Sequence, residues 1–203
     1  MKNLFFIWTL IIILFLSGCA SASPSPEPAI VTPNSMPRLD PSPTPSDSTL
    51  PLTCQVTDLN VYINEADGYC FAYPTRFTLG DQPSDKPDVR GPALDDSMEP
   101  IHATLTIEFA PATNETLQTQ AEAFLKEFSV ADPATYSWTQ VPVGGETGLM
   151  VEPVPAMLSY RIVFVQHDGN LFRLMYWPVD VAEAQADLNE LTQTTLGSFA
   201  FIK

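Results

Sequence analysis

Few side chains in this sequence are equipped for chemistry. Its 203 residues include 3 Cys and 2 His, against 24 Asp plus Glu and 9 Lys plus Arg. A histidine near neutrality is the usual general base, but neither histidine is placed for that work. His102 falls on the polar side of an alternating run and His167 lies beside an Asp-Gly turn, so both read as ordinary polar residues. The chain contains no Gly-x-Ser-x-Gly, no P-loop, no Gly-x-Gly-x-x-Gly and no His-Glu-x-x-His. Cys54 and Cys70 are too far apart for a Cys-x-x-Cys redox pair. The reading is therefore no catalytic residue and no cofactor.

Acidic side chains crowd one stretch. Asp81, Asp85, Asp88, Asp95, Asp96 and Glu99 fall in an 81–100 segment punctuated by four prolines. Calcium takes about six to eight oxygens, and Asp95, Asp96 and Glu99 could supply some of them. The Asp-x-Asp-x-Asp-Gly spacing is absent, so a long solvated loop is the reading taken, with a small-ligand or calcium-binding module as the alternative. Arg161 and Arg173 belong to one hairpin but project from opposite faces, so they make no single anion site; Arg161 is expected against the ring of Tyr176. Trp138 is either core or an exposed partner contact.

The first 19 residues carry a different kind of chemistry. Lys2 precedes a 13-residue apolar run, Leu4 to Leu16, broken only by Thr9. The run is short for a transmembrane helix, which needs about 20 residues, and suits a secretory signal. Leu16-Ser17-Gly18-Cys19 then resembles the bacterial lipobox. The resemblance implies a signal peptide over 1–18, cleavage before Cys19 and lipidation of its sulfur. Two or three acyl chains would hold the protein stably on a membrane. The expected location is the outer face of a bacterial membrane, an exported setting that permits disulfides. Cys54 and Cys70 are then the two remaining thiols, and a bridge between them is expected. It would close a loop of about 17 residues, worth roughly 3 kcal/mol by chain entropy.

Composition separates a tether from a domain. Residues 20–51 hold nine of the 20 prolines and seven serines. Such a segment buries too little surface to offset its ordering entropy, so 19–51 is read as a lipidated cysteine followed by an extended, disordered spacer. The domain is 52–203, with 7 basic and 21 acidic residues and a net charge of −14. That charge excludes nucleic acid as a partner and opposes attachment to anionic lipid by charge alone.

Within the domain, strands are expected at Asn60–Asn64 and Tyr69–Tyr73, and another over Ile101–Phe109 by its alternation. Asn114 is the expected cap of a helix reaching Phe128 with Leu117, Ala121, Phe124 and Phe128 on its apolar stripe. Two strands flank Gly144-Gly145, and a hairpin flanks Asp168-Gly169, a two-residue turn of type I′ chemistry. Its register pairs Arg161 with Tyr176. One face then carries Ile162, Phe164, Leu171 and Met175, and the other Val163, Val165, Phe172, Leu174 and Tyr176. Both faces are apolar, so both must be covered. Asp180 and Glu183 form a variant capping box for a last helix that Gly197 ends, before a short strand. The sum is an α+β domain, a mostly antiparallel sheet covered by helices in an α/β/α sandwich.

This arrangement resembles the PsbP-like family through Gly68-Tyr-Cys-Phe-Ala-Tyr-Pro74 with Phe77, and through the ending Gly197-Ser-Phe-Ala-Phe201. The resemblance implies a fold without catalytic machinery that serves for docking. The expected function is a non-enzymatic accessory lipoprotein of the cell envelope, with the membrane and an envelope protein as partners.

Overall fold

The structure, a computed structural model, describes residues 50–80 and 86–202. The signal segment 1–18, Cys19 and the tether as far as residue 49 lie outside the described residues, as do Asp81 and Asp85.

Among the described residues, ten strands and two α-helices form in the order β1 (Asn60–Asn64), β2 (Tyr69–Tyr73), β3 (Thr78–Leu79), β4 (Asp88–Ala93), β5 (His102–Pro111), α1 (Leu117–Phe128), β6 (Trp138–Val143), β7 (Glu146–Val154), β8 (Tyr160–His167), β9 (Asn170–Trp177), α2 (Gln185–Ser198) and β10 (Ala200–Phe201). They make two antiparallel sheets where one was expected. β1, β2 and β10 form a small sheet, and the other seven run in the order β3-β4-β5-β9-β8-β7-β6. The α+β class and the covered sheet hold. The second sheet arises because β10 returns to pair with β2, Ala200 opposite Cys70, and not with the main sheet.

The β8–β9 hairpin sits in the interior of the seven-stranded sheet, with β5 on one side and β7 on the other. Its turn is of the expected type, with Asp168 at φ 43° and Gly169 at φ 76°. The register is also as expected, Arg161 opposite Tyr176 and His167 opposite Asn170. The two faces therefore feed two cores. Val163, Val165, Phe172, Leu174 and Tyr176 pack with the small sheet's Tyr69 and Phe71 and with α2's Leu188 and Leu191. Ile162, Phe164, Leu171 and Met175 pack beneath α1 with Ala121 and Leu125. Burying apolar surface on both faces at about 25 cal/mol per Å² is the main stabilising term for such a hairpin.

Local details depart from the expected ones. Thr116, not Asn114, caps α1; its hydroxyl accepts from the Thr119 N–H at 3.2 Å. Two cap-competent residues lie close together in sequence, and the one adjacent to the first helical turn is used. The Asp180–Glu183 box does not form. A 3-10 turn at Ala182–Ala184 precedes α2, and Asp180 Oδ1 instead accepts from the Ser159 N–H at 3.2 Å. Gly197 lies inside α2, whose cap is Phe199, its N–H bonded to Thr195 O. The acidic 81–100 segment is not all loop: β4 forms within it and pairs with β5, because Val89 and Gly91 can bury against the core while Asp88 and Arg90 face outward.

Candidate docking face

Cys54 and Cys70 are bonded, tying the chain just after residue 50 to the start of β2. They pack with Ala200 at the end of α2 and the start of β10.

The polar residues singled out from sequence do not converge. His102 Nδ1 lies 2.8 Å from Gly91 O, bridging β5 to β4. His167 sits at the other end of the main sheet, its Nδ1 3.2 Å from Glu146 Oε1, its ring stacked on Phe201 with centroids 3.8 Å apart. Asp95, Asp96 and Glu99 are exposed on the turn between β4 and β5. Asp95 is already engaged: Oδ1 accepts from the Ser97 N–H at 2.9 Å and Oδ2 from Ile101 N–H at 3.5 Å. Hydrogen bonds from Ser97, first among several, hold its carboxyl below the usual range. Among the described residues no three His, Cys, Asp or Glu side chains are grouped to hold a metal ion.

The arginines do lie on opposite faces. Arg161 does not stack on Tyr176. Its Nε donates to Glu152 at 2.6 Å, Nη1 to Thr192 Oγ1 at 2.9 Å and Nη2 to Asn189 Oδ1 at 3.1 Å, stitching β8 to β7 and α2. Three strong acceptors outcompete one ring face. The cation–π contact belongs to Arg173, 4.5 Å over Phe124 of α1. Trp138 is half-buried against Phe164, centroids 6.2 Å apart, so it is core and not a free surface ring.

Topology brings three of the exposed apolar side chains to one end of the main sheet; Leu52, Ile63 and Leu79 are exposed elsewhere. β4 ends, β5 begins, β7 ends, β8 begins and β9 ends at one end of the main sheet, as their registers require. β3 and β6 also begin there, so five connections meet at this end: 74–77, 94–101, 129–137, 155–159 and 178–184. Three of them carry fully presented apolar side chains: Met98 at 100% exposure, Val130 at 95% and Met157 at 98%. The connections are braced against each other. Ser129 Oγ donates to Pro155 O at 2.7 Å, and Val179 N–H to Ser159 O at 2.8 Å. Sequence reading missed these three residues. The available signal was an isolated large apolar residue inside a Pro-, Ala- or Asp-rich connection, outside any strand or helix period.

A shallow, open depression borders this end, between α1 and the turn after it, lined by Thr119, Lys126, Val130 and Pro133 among others. Another lies at the far end, between the β1–β2 turn and Phe109. Among the described residues no helix is long and apolar enough to cross a membrane.

No protein-family model matches the chain, and no curated protein matches it. It is similar to the solution structure of cyanobacterial PsbP (CyanoP) from Synechocystis sp. PCC 6803, at 15% identity over 72% of this chain and 94% of that one, with a TM-score of 0.48.

Proposed function

We propose that this protein is a non-enzymatic accessory lipoprotein of the bacterial envelope, held on the outer face of a membrane through Cys19 and docking on another envelope protein. The observation that supports docking most directly is the set of three almost fully exposed apolar side chains, Met98, Val130 and Met157, brought to one end of the sheet by three separate connections. Apolar surface left in water marks an interaction surface where it is contiguous, and methionine adapts its shape to a partner. The polar groups that could have served catalysis are each spent on structure: Arg161 on β7 and α2, His102 on β4, Asp95 on its own turn.

The test is crosslinking of the full chain in its native cells, then solubilisation of the membranes and mass spectrometry of what co-purifies. One recurrent protein at near-equal amount is the expected result. Absence of any recurrent partner over repeated preparations counts against docking as the main role.

A further inference from the structure

We propose that β1 is an interface strand whose occupant is β1 of a second copy of this chain. The two strands pair antiparallel across a two-fold axis, so that two three-stranded sheets become one. The pairing goes beyond the accessory reading and does not depend on it.

The alternation of the ladder decides which backbone groups of β1 are free. Ile202 N–H donates to Gly68 O at 2.8 Å, and Ala72 N–H donates to Ser198 Oγ at 2.8 Å. Gly68, Cys70 and Ala72 therefore turn their backbones toward β10 and the end of α2. Tyr69, Phe71 and Tyr73 turn theirs toward β1, where they meet Asn64, Tyr62 and Asn60. Both backbone groups of a residue point the same way in an antiparallel strand, and the direction alternates. The N–H and C=O of Val61 and Ile63 are thus aimed out of the edge. Among the described residues neither has a backbone partner there, and Ile63 is 40% exposed.

An open edge is a template for pairing unless something blunts it. The other outer strands are blunted. β3 and β10 are two residues long, and β6 carries Pro142. β1 pairs with β2 over all five of its residues without a bulge, and it holds no proline and no charged side chain.

The sequence of this strand selects the occupant. Asn60-Val61-Tyr62-Ile63-Asn64 reads the same in both directions apart from the exchange of one β-branched residue for another. Two copies set antiparallel with Tyr62 opposite Tyr62 place Val61 opposite Ile63, and Asn60 opposite Asn64, on both sides of the axis. This is also the register in which the free groups match. Val61 and Ile63 become the hydrogen-bonded pairs, each exchanging both N–H···O bonds, and the two Tyr62 the closer pair without them. β-Branched side chains then meet across the strands, and no like charges face each other within the paired segment. An unrelated extended peptide would satisfy the backbone, but nothing would match its side chains to this order. The contact is isologous and closes as a dimer, because the other outer strands are blunted.

Charge opposes the pair at long range. Each domain has 7 basic and 21 acidic residues, and Asp58 and Glu65 flank the strand. Screening should therefore favour association, the reverse of a contact held by ion pairs.

The experiment places a photo-crosslinking amino acid at Ile63 of the full chain in native cells. Leu52 and Met157, exposed elsewhere, serve as controls. The expected product is a homodimer adduct mapped to residues 60–64 of the second copy, from Ile63 and from neither control. In isolated membranes its yield should rise between about 0.1 M and about 1 M salt, as the Debye length shortens from about 10 Å to about 3 Å. Val61→Pro removes an outward N–H and no ladder donor, and should lower the yield about tenfold. A thermal melt equal to the parent's certifies that variant as folded. Ile63→Asp changes only an exposed side chain. In cells carrying two differently tagged copies it should cut co-purification of one with the other about tenfold. Adducts from Ile63 to a different protein overturn the second copy as occupant and leave β1 a docking edge. Homodimer adducts mapped outside 60–64, a yield that falls with salt, or indifference to both substitutions overturns the pairing. No adduct from Ile63 overturns the interface outright.

Discussion

At the scale of single residues, Arg161 illustrates how an acidic chain spends a scarce cation. Its side chain is 11% exposed, bonded to Glu152, Thr192 and Asn189. Arg161→Ala leaves Glu152 without its partner and two α2 side chains without a donor, and is expected to cost about 2 kcal/mol in denaturant unfolding. Arg161→Lys should recover only part of that, because an ammonium cannot offer three donors in the plane of a guanidinium. A lysine variant as stable as the parent would show that charge alone matters there. Two phenols set the alkaline limit. Burial, the largest influence on each, pushes Tyr69 and Tyr176 well above the ordinary phenol range, with an Asn64 hydrogen bond opposing it at Tyr69. Below about pH 10 folded and unfolded chains both keep these protons, so the full stability is present. Above it the unfolded chain ionises first, and stability falls as pH rises toward the folded values. The urea midpoint is therefore expected to stay level to about pH 9.5 and decline beyond, less steeply in Tyr69→Phe. A midpoint that holds level at higher pH would contradict this.

At the scale of elements, the closing strand β10 depends on one glycine. Gly144 has φ +60°, and a Cβ there would come within 2.7 Å of the Phe201 ring. Its neighbour Gly145 has φ +87° with nothing within 4 Å. Both positions strain an alanine, at roughly 1 kcal/mol. Gly144→Ala must in addition displace Phe201 from its stack on His167, so it should cost clearly more, about 2 kcal/mol or above. Amide exchange at Ile202, whose N–H bonds Gly68 O at 2.8 Å, reads the loss of β10 directly. Equal effects of the two substitutions would mean that β10 does not lean on this turn. The elements were legible to very different degrees. The β8–β9 hairpin could be read to the residue, because a two-residue Asp-Gly turn leaves one register and both faces follow from it. β4 was hidden, because prolines and acids mask a strand of six residues whose buried members are only Val89 and Gly91. The caps shifted because Asn114 and Thr116 offer the same chemistry, and Asp180 found a better donor across the fold in Ser159.

At the scale of the whole molecule, the anchor and the domain make separable predictions. Cys19→Ala should move the chain from the membrane to the soluble fraction, because two or three acyl chains are what makes such attachment stable. The domain's own melting should be unchanged. A Cys19→Ala chain that stays with membranes would remove the lipid anchor from the proposal. Sequence alone determined the export signal and tether as expectations, the α+β composition, the pairing of Cys54 with Cys70 once export was granted, and the two-faced central hairpin. These follow from local chemistry and short-range period, which a linear chain displays. Tertiary structure decided what depends on distant segments meeting. β10 joins β2 rather than the main sheet; Arg161 prefers three acceptors on β7 and α2 to the ring beside it; and Met98, Val130 and Met157, from three separate connections, come to one end. No linear pattern links those three residues. Only the antiparallel strand order, which returns each connection to the same end of the sheet, brings them there.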